Sequence, residues 1–255
     1  MSSLPQAGGQ TWSAPSYAEN ARFVADLSDD VLSWAAIAPG MRLLDLGCGD
    51  GALTQKLVSA GADVMAVDAS ASMVEAAKAL GLNAHIMSGE ALSFAGEFEL
   101  VFSNAALHWM TDSRAVIEGV HKALVPKGRF VAEFGGHLNV AAIATALRAA
   151  AVQFGGDQAL ASPWFFPTPE AYAGQLSKTG FKVQRIGLFP RPTPLPTGIE
   201  GWLATFREPF FAQFDVETRT RVMAFVIDVL RPSLCDQQGQ WTADYVRLRV
   251  EAVKA

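Results

Sequence analysis

Short apolar runs alternate with segments of helical periodicity through the first half of the chain. Within each run the hydrophobic side chains stand mostly at consecutive rather than alternating positions. This pattern is typical of strands that are covered by helices on both faces. The predicted strands are Met41–Leu46, Asp63–Val67, Ala84–Met87, Glu99–Ser103 and Arg129–Phe134.

Helical patterns separate these strands, at Ala52–Val58, Ser70–Leu80 and Asp112–Leu124. A regular alternation of strand and helix predicts a parallel sheet wound on both faces. The fold class that we expect is therefore α/β with a doubly wound sheet.

The second half of the chain departs from this alternation. Two further strands are predicted, Lys182–Phe189 and a segment around Val246–Val250 in which apolar residues alternate with charged ones. We interpret the last segment as half-exposed, and as antiparallel because no helix follows it. Prolines at positions 190, 192, 194 and 196 predict an extended linker. The predicted helices are Val140–Phe154, Pro169–Lys178, Ile199–Phe206 and Val216–Leu230.

A glycine-rich turn follows the first strand directly, in the run Leu-Leu-Asp-Leu-Gly-Cys-Gly-Asp-Gly that ends at Gly51. Glycine allows the backbone to turn sharply and lets a ligand lie against it. The spacing is neither that of dinucleotide-binding turns nor that of phosphate loops. No lysine follows, and Asp50 would repel phosphates. The turn therefore favours a nucleoside ligand with a cationic tail.

This Asp-Leu-Gly-x-Gly-x-Gly pattern resembles the first motif of class I S-adenosylmethionine-dependent methyltransferases. The string Ser-Asn-Ala-Ala-Leu-His-Trp, at 103–109, resembles the trans-aconitate methyltransferase-like (methyltransferase type 11) group. The resemblance is good over residues 10–135 and looser beyond. It implies a seven-stranded, mostly parallel, Rossmann-like sheet with an antiparallel last strand, S-adenosylmethionine as cofactor and S-adenosylhomocysteine as product.

The resemblance also suggests how the chain is organised. We expect a single methyltransferase domain over 1–255, with a cofactor-binding core at 10–135. Helical insertions at 136–180 and 197–235 would form a lid over the substrate. A helical flap near the N-terminus could close over the cofactor, with Trp12, Tyr17, Asn20 and Phe23 as its candidate residues.

The resemblance implies that three acids are candidate cofactor ligands. Asp45 would help to fix the glycine turn and the amino group of the cofactor, or is a strand-end carboxylate satisfied by backbone N–H groups. Asp68 would accept hydrogen bonds from both ribose hydroxyls, or only cap a helix, as Ser70 could equally do. Glu90 would accept from the adenine amino group, or lie on a solvated loop. The full set of cofactor-binding candidates is Asp45, Gly47, Gly49, Asp68, Ala69, Met73, Gly89, Glu90, Ala91, Asn104 and Ala105.

His108 is the candidate catalytic residue. A carboxylate acceptor is already ionised at neutral pH and needs no base, whereas a hydroxyl or ammonium acceptor would need one. His108 is therefore a base, a donor that orients a carboxylate, or a structural residue packed beside Trp109. Arg207 could also hold an acidic acceptor. The substrate-binding candidates are Trp109, His137, Trp164 and Arg191.

Composition narrows the range of partners. The formal net charge of −5 and the absence of a long Lys/Arg cluster argue against nucleic acid. Cys48 and Cys235 are too few for a disulfide framework and have no metal-ligand spacing, so we expect no metal. We expect no signal peptide, and no apolar stretch approaches the roughly 20 residues that span a bilayer. We expect a cytoplasmic monomer or homodimer that does not contact membranes.

The expected function is methylation of a small molecule, specifically O-methylation of an organic-acid carboxylate, because the trans-aconitate group is the nearest resemblance. Several alternatives stay open at this point. The chain could be a malonyl-carrier-protein methyl ester synthase, which would need a basic docking surface. It could instead methylate a natural-product hydroxyl or amine, or be a non-catalytic subunit that binds an adenosyl ligand.

Overall fold

The computed structural model describes Gln10 and residues 29–255. The strands are β1 Arg42–Leu46, β2 Asp63–Asp68, β3 Ala84–Ile86, β4 Phe98–Asn104, β5 Leu124–Gly135, β6 Phe181–Pro194 and β7 Thr242–Lys254. The α-helices are α1 Asp29–Ala35, α2 Ala52–Ser59, α3 Ala71–Ala79, α4 Ser113–Ala123, α5 Ala141–Phe154, α6 Pro169–Lys178, α7 Gly198–Phe206, α8 Glu208–Ala212 and α9 Val216–Leu234. The proposed N-terminal flap residues Trp12, Tyr17, Asn20 and Phe23 lie outside the described residues.

The seven strands form one sheet in the order β3-β2-β1-β4-β5-β7-β6. Strands β1 to β5 pair in parallel, and β7 runs antiparallel to both of its neighbours. The predicted doubly wound α/β sheet with an antiparallel last strand is confirmed. Because β7 is reversed, its first residues lie beside the carboxyl ends of β1 to β5.

Helices cover both faces of this sheet, which explains the continuous apolarity of its strands. Helices α1 and α2 pack on the face that carries Leu43 and Leu100, whereas α4 and α6 pack on the face that carries Leu44 and Val101. A further core joins α5, α7, α8 and α9 to the first residues of β7. This helical group therefore stands over the carboxyl edge of the parallel strands, where open α/β sheets bind ligands.

Two predictions about the C-terminal half are wrong. Pro190, Pro192 and Pro194 belong to β6 rather than to a linker. Since β6 is an edge strand, prolines at alternate positions fit there because their missing N–H groups can face away from β7. The last strand is not half-exposed: β7 lies between β5 and β6, and Arg247 and Arg249 are only 6% and 4% exposed.

Over the residues that the structure describes, no helix combines the length and the apolar character needed to span a membrane.

Candidate functional site

A cavity of about 370 Å³ opens at the carboxyl edge of the parallel strands, beneath the helical group. Its wall has two chemically distinct parts. We call one the loop half, because its residues end or follow β1 to β4: Leu46, Gly47, Gly49, Asp68, Ala69, Met73, Met87, Ser88, Gly89, Glu90, Asn104, Ala105, Ala106, Met110 and Thr111. We call the other the aromatic half, and its residues are His108, Trp109, Asn139, Val140, Trp164, Phe166, Trp202, Phe206, Tyr245 and Arg247.

The glycine turn shapes the loop half. The Gly47 N–H donates to the carbonyl of Val67 at 2.8 Å, which ties the turn to β2. Gly47 has φ +80°, and an added Cβ would lie 2.2 Å from the Cβ of Ala106. Gly49 has φ +57°, but an added Cβ would meet no atom within 4 Å. Gly47 is therefore required by packing within the protein, whereas Gly49 faces open space where a ligand can approach the backbone.

The Asp68 carboxylate holds this turn in place. One of its oxygens accepts from the Gly49 N–H at 3.1 Å, and the other accepts from the Ser70 N–H at 2.8 Å. Ser70 itself caps α3 through a hydrogen bond from the Met73 N–H. Each carboxylate oxygen has two lone pairs, so Asp68 can fix the turn and still accept hydrogen bonds from a ligand in the cavity.

Asp45 lies behind the glycine turn and does not line the cavity. Its carboxylate accepts from the hydroxyl of Thr54 at 2.7 Å. Burial raises the pKa of Asp45 to about 7, and the charge of Asp68 adds to this shift. A cation bound in the loop half would favour the ionised form of both carboxylates.

Most of the remaining loop-half candidates also contribute to the cavity wall. Glu90 lines it, and one of its oxygens accepts from the Asp112 N–H at 2.9 Å, just before α4. Asn104 and Ala105 also line the cavity, and Ala105 has a left-handed φ of +56°. Ala91, another sequence candidate, does not line it. Glu90 therefore supports the start of α4 and retains a second oxygen for a ligand.

His108 belongs to the aromatic half and sits in a short 3₁₀ helix, and it is 7% exposed. Its Nδ1 accepts a hydrogen bond from the Gly135 N–H at 3.2 Å. Its ring lies 5.4 Å from the ring of Trp109 and 5.8 Å from that of Phe166, between centroids. Burial lowers the pKa of His108 well below its usual value, and the positive charge of Arg247 lowers it further. The imidazole is therefore neutral at physiological pH.

Rings and one guanidinium make up most of the aromatic half. Trp164 stacks on Phe166 at 5.3 Å and meets Trp109 edge-on at 5.6 Å. The Trp202 indole N–H donates to the Tyr245 hydroxyl at 2.6 Å. The Arg247 guanidinium lies 4.4 Å from the centroid of that same tyrosine ring. Among the described residues of the aromatic half, Arg247 is the only Arg, Lys, Asp or Glu.

Several sequence candidates for substrate binding lie elsewhere. Arg191 makes two hydrogen bonds with Glu133, at 2.5 and 3.1 Å, and does not line the cavity. His137 does not line it either. Arg207 is fully buried behind the cavity wall, 4.7 Å from the Trp164 ring, and donates to the carbonyls of Phe206 and Leu160. Of the predicted substrate residues, Trp109 and Trp164 are the two that the cavity brings together.

Among the residues of the aromatic half that escaped the sequence reasoning are Asn139, Tyr245 and Arg247. Tyr245 and Arg247 share one face of β7, because residues two apart in a strand point to the same side. The reversed direction of β7 places these two residues beside the carboxyl ends of the parallel strands. Charged residues at alternate positions in the last predicted strand were the available signal, and that strand was interpreted as half-exposed.

Comparisons with known proteins agree with this geometry. Residues 44–132 match the family model of the methyltransferase domain. Over 95% of its length the chain is 38% identical to uncharacterized methyltransferase C70.08c of Schizosaccharomyces pombe, of which it covers 98%. Over 93 residues it is 36% identical to trans-aconitate 2-methyltransferase of Deinococcus radiodurans, which corresponds to 35% of this chain and 36% of that protein.

The fold also matches a solved structure, that of phosphoethanolamine N-methyltransferase 2 of Haemonchus contortus with phosphomonomethylethanolamine and S-adenosylhomocysteine. The TM-score is 0.60 at 16% identity, and the match covers 94% of this chain and 56% of that one. The near full-length similarity to the fission-yeast protein and the domain match decide the family. The chain belongs to the class I S-adenosylmethionine-dependent methyltransferases.

Proposed function

We propose that this methyltransferase methylates a carboxylate oxygen of a small organic acid. The observation that carries the proposal is Arg247, the one Arg or Lys side chain among the described residues that line the cavity. A guanidinium matches a carboxylate in charge and in hydrogen-bond geometry. The rings around it can enclose the carbon skeleton of such an acid.

The loop half supplies the features that S-adenosylmethionine requires. Gly47 and Gly49 present backbone to the cavity, and Asp68 presents carboxylate lone pairs that suit ribose hydroxyls. Burial raises the pKa of both Asp45 and Asp68, and a bound cationic sulfonium would favour their ionised forms. When bound, the cofactor supplies an electrophilic methyl group on a positively charged sulfur. The role of each candidate cofactor-binding residue stays a prediction.

Methylation of an ionised carboxylate requires no proton transfer by the protein. An ionised carboxylate oxygen forms the new C–O bond as the S–CH₃ bond breaks, so the sulfur becomes a neutral sulfide and no proton moves. The protein must align the reacting atoms and exclude water. The enclosing rings of Trp109, Trp164 and Phe166 suit this task.

A hydroxyl or amine acceptor would need a base, and the aromatic half is poorly equipped for one. No Asp or Glu occurs among its described residues. The lowered pKa of His108 makes it a weak base, and burial raises the pKa of Tyr245, so that its phenol stays protonated. The partial similarity to a protein named as a trans-aconitate methyltransferase also favours an acid.

We also propose that different segments of the chain bind the cofactor and the acceptor. Every described loop-half residue lies between 46 and 111, within the predicted cofactor core at 10–135. Val140, Trp164 and Phe166 come from 136–180, and Trp202 and Phe206 come from 197–235. We therefore infer that these two insertions form the cover of the acceptor.

The test compares small carboxylic acids with their primary amides, which have the same shape but no charge. Formation of S-adenosylhomocysteine is measured for each pair at a fixed concentration of S-adenosylmethionine. We expect turnover with one or more acids and none with the matching amide. Turnover of amides, amines or phenols in preference to acids would contradict the proposal.

A further inference from the structure

The hydrogen bond between Gly135 and His108 fixes both the orientation of the imidazole ring and its tautomer. The Gly135 N–H donates to Nδ1 at 3.2 Å, so Nδ1 must carry a lone pair rather than a proton. A neutral imidazole has one proton, which must then reside on Nε2. Gly135 is the last residue of β5, so the direction of its N–H is set by the sheet.

The surroundings of His108 keep the ring neutral. The groups that face it are the Gly135 backbone from β5, the rings of Trp109 and Phe166, and the Arg247 guanidinium from β7. Arg247 is the one charged group among these described neighbours, and a second positive charge on the imidazole would be repelled by it. No described residue hydrogen-bonds to Nε2, and His108 lines the cavity.

We propose that His108 is a fixed hydrogen-bond donor to the acceptor, with Nε2–H bound to the carboxylate oxygen that does not attack the methyl group. Arg247 and His108 then both bind the acceptor, and neither exchanges a proton with it. This inference rests on the proposed carboxylate acceptor. It makes the site selective for acceptors that arrive already ionised.

A role as general base would require the other tautomer of the His108 ring. A base acting through Nε2 needs its lone pair there, which moves the proton to Nδ1. That proton would face the Gly135 N–H, so two donors would meet and neither would have an acceptor. The backbone of β5 therefore disfavours the tautomer that base catalysis needs.

Two variants of the same residue separate these roles. In His108→Gln the side-chain amide can place an N–H near the position of Nε2, whereas in His108→Asn the amide reaches only the position of Nδ1. We expect His108→Asn to raise the KM of the acceptor about tenfold, the value of one lost hydrogen bond, and His108→Gln to raise it at most about threefold. The affinity for S-adenosylhomocysteine should stay the same in both. Equal losses of kcat in both variants, with the loss of a titrating limb near neutral pH, would overturn the proposal.

A spectroscopic measurement tests the tautomer without any acceptor. In protein with ¹⁵N-labelled histidine and saturating S-adenosylhomocysteine, two-bond ¹H–¹⁵N correlation spectra report which ring nitrogen is protonated, and His108→Gln identifies the resonances. We expect the Nε2–H tautomer with no titration between about pH 6 and 9. A Nδ1–H tautomer or a titrating ring would refute the inference. Failure of the carboxylate proposal would instead show as an absence of acid turnover with this spectrum unchanged.

Discussion

The loop half and the aromatic half of the cavity bind by different means. The loop half is built from turns that end or follow consecutive strands, and it offers backbone and acids such as Asp68 and Glu90. The aromatic half is built from side chains that are far apart in the chain, and it offers rings and the cation Arg247. The loop half is therefore suited to a positively charged ligand and the aromatic half to an anion.

This difference in charge suits a reaction between a cationic methyl donor and an anionic acceptor. Each half attracts its own ligand and disfavours the other, so the two ligands are oriented relative to each other by the cavity. Substitutions in the loop half should then change cofactor affinity, and substitutions in the aromatic half should change the KM of the acceptor. A variant that changes both equally would contradict the separation.

The largest expected effect is that of Gly47→Ala. Its Cβ would lie 2.2 Å from that of Ala106 at a φ of +80°, so the turn must move. Overpacking and left-handed strain together cost about 3 kcal/mol, and we expect calorimetric affinity for S-adenosylhomocysteine to fall about 100-fold. Gly81→Ala is the matched control, because Gly81 has the same φ but no atom within 4 Å of the added Cβ. Equal affinities in the two variants would show that the turn does not bind the cofactor.

The next effect is that of Arg247→Met, which removes the charge and keeps much of the length. Loss of a charged hydrogen bond costs about 1.5 to 3 kcal/mol, so we expect the KM of the acceptor to rise about 30-fold, with cofactor affinity unchanged. The control is Arg191→Met, because Arg191 pairs with Glu133 outside the cavity. That variant should lower the melting temperature and leave the acceptor KM unaltered. The reverse result would make Arg191 the acceptor ligand, as the sequence suggested.

A smaller effect is expected for Asp68→Ala. Asp68 holds the Gly49 and Ser70 N–H groups and is predicted to hold the ribose, so its loss should weaken S-adenosylhomocysteine binding about tenfold, which corresponds to about 1.4 kcal/mol. Asp63→Ala serves as control, since Asp63 is exposed at the opposite end of β2. Unchanged calorimetric affinity in Asp68→Ala would remove this carboxylate from the cofactor site.

The two halves also differ in how far the sequence predicted them. The loop half could be anticipated because Gly47, Gly49 and Asp68 end or follow strands in a motif that is local in the chain. The order of elements likewise predicted the sheet and its reversed last strand, since apolar runs and helical patterns are both local signals.

The aromatic half could not be anticipated to the same degree, because its side chains meet only in the tertiary structure. Arg191 and Arg247 both lie on C-terminal strands, but Arg191 pairs with Glu133 on β5 and does not line the cavity, whereas Arg247 does. The prolines of β6 were misleading for a related reason, since an edge strand tolerates what an inner strand does not. In both cases the order of strands in the sheet, which no local pattern shows, decides the outcome.

Methylation of a carboxylate is tested most directly by the lability of the product. Labelled methyl groups are transferred from S-adenosylmethionine to a pooled small-molecule fraction of a cell extract, and the products are treated with mild alkali. If the acceptor is a carboxylate, the label is released as volatile methanol, as from a methyl ester. Label that resists alkali would indicate an ether or N-methyl product and would contradict carboxylate methylation.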